Sequence, residues 1–196
     1  MNNSLKFFRT LGSSLLLVLI TQISPAQTYK VNKTASNLLV EGTSNIHDWE
    51  VKAEDFSGTL KAEFNDEQLV KIDALDFEVI AESLKSGKSA MDKNTYKALV
   101  TNKYPKISYT LQKVENIDCT SSKSCKISTT GYLNITGTKK LVEIVFDAVV
   151  NGSSITLTGN KTIKMSDYKI DAPTALFGTI TTGDQLHINF KTVFTK

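Results

Sequence analysis

Few side chains in this sequence are of types that could do chemistry. His47 and Asp48 stand side by side just before Trp49, the single tryptophan, and His187 lies far along the chain. Cys119 and Cys125 are the only cysteines. An imidazole beside a carboxylate could serve as a general base for a nucleophile. The chain has no Gly-x-Ser-x-Gly turn to present a serine, and no motif puts a carboxylate pair near His47. A turn histidine that bonds its own backbone is the commoner arrangement. No catalytic residue is therefore assigned, and the expected class is not an enzyme. His187 alternates with Leu186 and Ile188, so it points away from the apolar side. Two histidines in separate elements, without further ligands, make no zinc site. No metal and no cofactor is expected. Trp49 has an apolar body and a polar N–H, which suit a barrel mouth, a ligand contact or a packed core.

The elements that would position these residues begin after residue 26. Lys6 and Arg9 precede the apolar run Leu15 to Ile20, and Ser24-Pro25-Ala26 offers small residues for a cut before Gln27. That is the pattern of a secretory signal peptide over 1–26, with a single domain over 27–196. Localisation is then periplasmic or secreted, after cleavage near Ala26. Removing Lys6 and Arg9 lowers the formal charge of +3 to +1. A near-neutral chain with interspersed signs gives no electrostatic case for nucleic acid. No later segment is apolar enough for stable membrane insertion.

The clearest structural signal is period-two alternation from Gly131 to Met165. Leu133 and Ile135, then Val142, Ile144, Phe146, Ala148 and Val150, then Ile155, Leu157, Gly159, Ile163 and Met165 form three apolar rows. Each row is one buried face of a strand. Turns fall at Gly137–Lys140 and Asn151–Ser154. Pairing Ile135 with Val142, and Val150 with Ile155, puts all three rows on one side. Earlier strands carry Leu38, Val40 and Gly42, then Trp49, Val51 and Ala53, then Phe56, Gly58, Leu60, Ala62 and Phe64. The parity switch at Glu54-Asp55, and another between Val70/Ile72 and Leu75/Phe77, predict β-bulges. Asp92 is a candidate cap for one short helix running to about Thr101, with Met91, Thr95 and Leu99 spaced by four. Leu186, Ile188, Phe190, Thr192 and Phe194 form a last strand after an irregular stretch from Ser166 to Gly183. The fold class is all-β: an antiparallel, lipocalin-like β-barrel of about eight strands with one short helix. Gly42, Gly58, Gly131 and Gly159 each fall on the apolar face of a different strand. They mark either sharp bends or space for something to approach the backbone.

Four segments taken together resemble a known family. Gly42-Thr43-Ser44-Asn45-Ile46-His47-Asp48-Trp49, Phe56-Ser57-Gly58-Thr59-Leu60, Lys103-Tyr104-Pro105-Lys106-Ile107 and Gly131-Tyr132-Leu133-Asn134-Ile135-Thr136-Gly137 are similar, in that order, to the YceI-like family of periplasmic lipid-binding proteins. The resemblance implies a barrel whose elongated apolar pore holds an isoprenoid chain, such as a polyprenyl or quinone tail, and it implies no catalytic residues. Two features depart from the family form: the Asp48-Trp49 pair, where a small residue is expected, and the Cys119/Cys125 loop.

The expected function is therefore an exported protein that sequesters or carries an isoprenoid-type lipid. Its ligand-binding residues would be Trp49, Phe56, Leu60, Phe77, Tyr104, Tyr109, Leu133, Ile144, Phe146, Leu157 and Phe190, with His47 as a head-group contact. The partner is an isoprenoid or other long-chain lipid, and a homodimer is allowed. The alternatives are a structural or stress-related exported barrel with a filled core and, last, a lipid-modifying enzyme. Cys119 and Cys125 are expected to form a disulfide across the hairpin joining the strand from Ile107 to the strand from Ile127. Opposing them makes paired residue numbers sum to 244, which sets Tyr109 against Ile135 and Leu111 against Leu133 on one face.

Overall fold

The computed structural model describes residues 26–196; the expected signal peptide lies almost wholly outside them. Twelve strands and one α-helix follow in chain order among the described residues. They are β1 (Gln27–Val31), β2 (Asn37–Ser44), β3 (Trp49–Ala53), β4 (Phe56–Asn65), β5 (Gln68–Ile80), β6 (Leu84–Lys85), α1 (Ser89–Leu99), β7 (Lys106–Ser121), β8 (Ser124–Ile135), β9 (Thr138–Asn151), β10 (Ser154–Lys164), β11 (Thr174–Ala175) and β12 (Ile180–Thr195). All pairings are antiparallel, in the order β1-β4-β5-β7-β8-β9-β10-β12, and β12 pairs back onto β1. The result is a closed eight-stranded ring, which leaves few free edges. Beyond β1, the free side of β12 is taken by β2, which continues through β3 to β6.

Alternation builds the wall as expected. In β8, Cys125, Ile127, Thr129, Gly131, Leu133 and Ile135 are buried, and the residues between them are more exposed. Ile155 and Leu157 continue the buried row in β10, and Thr192 and Phe194 in β12. The parity switch at Glu54-Asp55 is present, but it marks the end of one strand and the start of another with different partners, not the expected β-bulge. β3 ends at Ala53 and β4 begins at Phe56, with Glu54 N–H bonded to Ser83 and Asp55 carbonyl accepting from Ile80. The parity change in β5 is also real, but it comes from two extra residues, Val70 and Asp73. As a result Leu69 is buried and Val70 turns outward, so Val70 does not belong to the apolar row.

Three sequence expectations need correction. Ile135 pairs with Thr138, not Val142, because Thr136 and Gly137 both take positive φ and close a two-residue turn. The slip is an even number, so the apolar rows still share a face. The disulfide between Cys119 and Cys125 is present, and the two residues are opposed. Extra residues at Glu115 and Gln112 then move the register, so Tyr109 meets Leu133 and Leu111 meets Gly131. Two one-residue shifts restore the parity. Finally, α1 starts at Ser89 and Asp92 does not cap it. Asp92 instead accepts from the Ser86 N–H at 2.7 Å and the Ser86 hydroxyl at 2.6 Å. Those bonds hold its carboxyl below the usual range.

Candidate functional site

The barrel has two unlike ends. The hairpin tips Asn65–Gln68, Ser121–Ser124 and Asn151–Ser154 lie at one end, with the disulfide beside them. Below mid-height this end is filled: Leu60, Ala62, Ile127, Ile155 and Phe194 are essentially inaccessible. The other end carries the β2–β3 turn, α1 and the segment from Ser166 to Thr182. There the side chains part to leave a cavity of about 470 Å³. Its wall is almost wholly apolar, with Leu38, Val51, Leu133, Ile144, Ile163 and Ile188 from six strands. Met91, Thr95, Ala98 and Leu99 of α1 form part of the same lining, so the four-residue spacing that marks the helix also marks the face it turns to the cavity.

The strand glycines explain why the cavity stays open. A Cβ on Gly42 would lie 2.3 Å from the Trp49 ring, on Gly131 2.4 Å from Tyr109, on Gly159 2.7 Å from Phe190 and on Gly58 2.9 Å from Phe77. All four aromatic residues line the cavity. Each ring lies against the bare backbone of a glycine on a neighbouring strand, so it adds apolar wall without filling the lumen. The choice between bends and close approach is thus settled for close approach, although what approaches is the protein's own aromatic ring.

Of the residues expected to contact a ligand, Trp49, Phe77, Tyr109, Leu133, Ile144, Phe146, Leu157 and Phe190 line the cavity, and His47 sits at its rim. Phe56, Leu60 and Tyr104 do not. Phe56 is buried behind Phe77, with ring centroids 5.5 Å apart. Leu60 belongs to the filled end. Tyr104 lies over the Thr136-Gly137 turn, where Gly137 leaves room for its ring, and Lys103 caps its face. Parity says which face a side chain takes but not its height along the barrel. Lys161 was missed. It occupies the odd-numbered row of β10 between Gly159 and Ile163, and it lines the cavity. The row itself was the signal.

The polar groups at the site are few and satisfied locally. His47 Nδ1 lies 2.7 Å from the Asp48 carbonyl, so this nitrogen carries the proton. The Ser44 hydroxyl bonds the His47 backbone, not its ring. The Trp49 indole N–H donates to the Thr43 carbonyl at 3.0 Å. Deeper in the wall, the Tyr109 hydroxyl lies 3.2 Å from Thr129 Oγ1, and Thr129 donates to the Ile144 carbonyl. Burial pushes the Tyr109 phenol up. Such a site can enclose an apolar molecule and offers it little polar handling. Among the described residues there is no cluster of three or more His, Cys, Asp or Glu able to hold a metal. No helix among them is long and apolar enough to cross a membrane.

The YceI-like domain model matches residues 29–194, nearly the whole described chain. The chain belongs to the YceI-like family. Solved YceI-like structures have the same fold. BcnA of Burkholderia cenocepacia superposes with a TM-score of 0.65 at 18% identity, covering 83% of this chain and 98% of that one. A polyisoprenoid-binding domain from Saccharophagus degradans gives 0.64 at 12% identity, covering 85% and 97%. The YceI protein of Campylobacter jejuni gives 0.57 at 16% identity, covering 97% and 99%. No curated protein matches the sequence.

Proposed function

We propose that this YceI-like barrel binds the chain of an isoprenoid-type lipid in its cavity and acts as an exported carrier or sequestering protein. The cavity is the observation that carries the reading. Open at its mouth, a cavity of about 470 Å³ leaves apolar wall against water that it cannot hydrogen-bond, at a cost of about 25 cal/mol per Å² of apolar surface left exposed. A structural barrel gains nothing from such a void, so the filled-core reading is disfavoured. An apolar guest removes the cost by filling it. The name of the Saccharophagus relative, a polyisoprenoid-binding domain, supports an isoprenoid guest. Catalysis is disfavoured because the Ser44 hydroxyl bonds the His47 backbone and not its ring, so the imidazole has no hydroxyl nucleophile held against it. Export follows from the leader-like segment 1–26, with the mature domain beginning at Gln27.

Trp49 is a built-in reporter, being the single tryptophan and part of the lining. Titrating the mature protein with a polyprenol in detergent micelles should change its fluorescence saturably at one lipid per chain. No change, with a dye that fluoresces in apolar sites also failing to bind, would refute the reading.

A further inference from the structure

The segment between β10 and β12 holds an unusual feature at the cavity rim. Leu176 and Phe177 both have positive φ, 48° and 57°, and Gly178 follows at 89°. Bulky side chains rarely adopt this backbone, so two in succession call for a reason. The packing does not supply one. Phe177 is completely exposed and Leu176 is 68% exposed. A second tip stands beside the first: Ile46, in the β2–β3 turn, is 59% exposed. Asn45 ties the two tips together. Its side-chain amide donates to the Thr179 carbonyl at 2.8 Å, its side-chain oxygen accepts from Thr181 N–H at 3.0 Å, and its own N–H donates to the Thr181 carbonyl. Both tips are continuous with the cavity, since Ile46, Ala175 and Ile180 line it.

The two tips themselves carry no charge, although Lys88 and Lys161 lie in the lining behind them. From Pro173 to Gly183, and from Gly42 to His47, the sequence has no Asp, Glu, Lys or Arg, in a chain that is 22% charged. We propose that the Leu176-Phe177 and Ile46 tips dock the barrel mouth onto a lipid bilayer, so that cargo passes between membrane and cavity without crossing water. The proposal rests on the lipid-carrier reading for its purpose but not for its test. A bilayer suits the patch better than a second copy of the chain does. Three side chains at two loop tips present on the order of 400 Å², whereas a stable protein interface needs about 800 Å² per partner. Uncharged loops that carry Phe, Leu and Ile can enter the headgroup boundary, where an aromatic ring is favourably placed. Docking of this kind is reversible and differs from stable insertion.

The strain supplies a discriminating variant. Asn tolerates the left-handed backbone far better than Leu or Phe. The pair Leu176→Asn and Phe177→Asn should therefore fold with equal or higher thermal stability and still lose membrane affinity. The experiment is co-sedimentation of the mature protein with phosphatidylcholine vesicles, alongside the micelle titration of Trp49 fluorescence. The expected result is vesicle binding by the wild type, weakened at least tenfold in the double variant by the loss of two large apolar side chains, with the micelle titration unchanged. No vesicle binding by the wild type would overturn the proposal, as would equal binding by the variant. So would a wild type that sediments as a dimer which the variant breaks, because the tips would then belong to a second copy. Cargo binding that fails in micelles while vesicle binding persists would instead count against the carrier reading.

Discussion

Substituting Gly131→Ala should close part of the cavity from within. The new methyl would lie 2.4 Å from both Cζ and Oη of Tyr109. Carbon atoms rest at about 3.5–4.0 Å, so the ring must retreat by roughly 1 Å or more. Tyr109 lines the cavity, so a ring pushed off Gly131 can move into the lumen. Moving the ring also strains or breaks the 3.2 Å contact with Thr129. Overpacking typically costs about 1–3 kcal/mol, and losing a neutral hydrogen bond about 1 kcal/mol more. The expected destabilisation is therefore about 2–4 kcal/mol by urea unfolding, with weaker lipid binding in the Trp49 titration. The cause can be isolated with a double-mutant cycle. In a Tyr109→Leu background the clash is gone, and Gly131→Ala should cost well under half as much. An equal cost in both backgrounds would show that the ring contact is not the reason for the glycine.

Other consequences follow from particular contacts. Replacing Cys119 and Cys125 by Ser should lower stability by only about 2 kcal/mol, since the closed loop is short. The barrel and its lipid binding should survive, because the bridge lies at the end away from the mouth; circular dichroism and the Trp49 titration check both. Near the mouth, the Asp184 carboxylate accepts from the Ser166 hydroxyl at 2.6 Å and the Ser166 N–H at 2.8 Å, which holds its pKa below the usual range. A depressed folded pKa gives a contribution that is complete above the unfolded value of about 4 and is lost as pH falls through the folded one. Protection of the Ser166 amide, measured against its unstructured exchange rate at the same pH, should therefore fall below about pH 4, and Asp184→Asn should remove that dependence. At the other extreme, burial and the nearby Asp167 push the Tyr168 phenol up to about 12. Stability should fall between about pH 10, the unfolded value, and about pH 12, and Tyr168→Phe should flatten that decline in an alkaline unfolding series.

Much of the wall is readable from the sequence because one face of each strand is buried, and burial imposes a two-residue period that composition reveals. β8 is the clearest case, with alternate positions buried from Cys125 to Ile135. What escapes the pattern is displacement along the barrel. The extra residues Gln112 and Glu115 lie among exposed polar side chains, where either register satisfies solvent, so nothing in the composition marks them. The height of the cavity depends on the accumulated register of all eight strands. For that reason Leu60 and Phe56 share parity with cavity residues yet sit in or behind packed regions. Asp92 was misread because a cap and a loop tether use the same side chain, and Ser86 offered it two donors. Lys161 shows the reverse failing: a charged residue in an apolar row is easily passed over, although the row alone places it on the inner face. The mouth was the least legible part. Leu176 and Phe177 are apolar residues in an irregular stretch with no period to assign a face, and only the folded structure shows that both are exposed.

Native mass spectrometry of the mature protein, purified from cells without delipidation, tests the central claim most directly. The spectrum should contain a population carrying one long-chain lipid per barrel, with a mass that fits an isoprenoid series, and Gly131→Ala should reduce it. A bare polypeptide mass, unchanged after incubation with polyprenols, would contradict the assignment of the cavity to an isoprenoid guest.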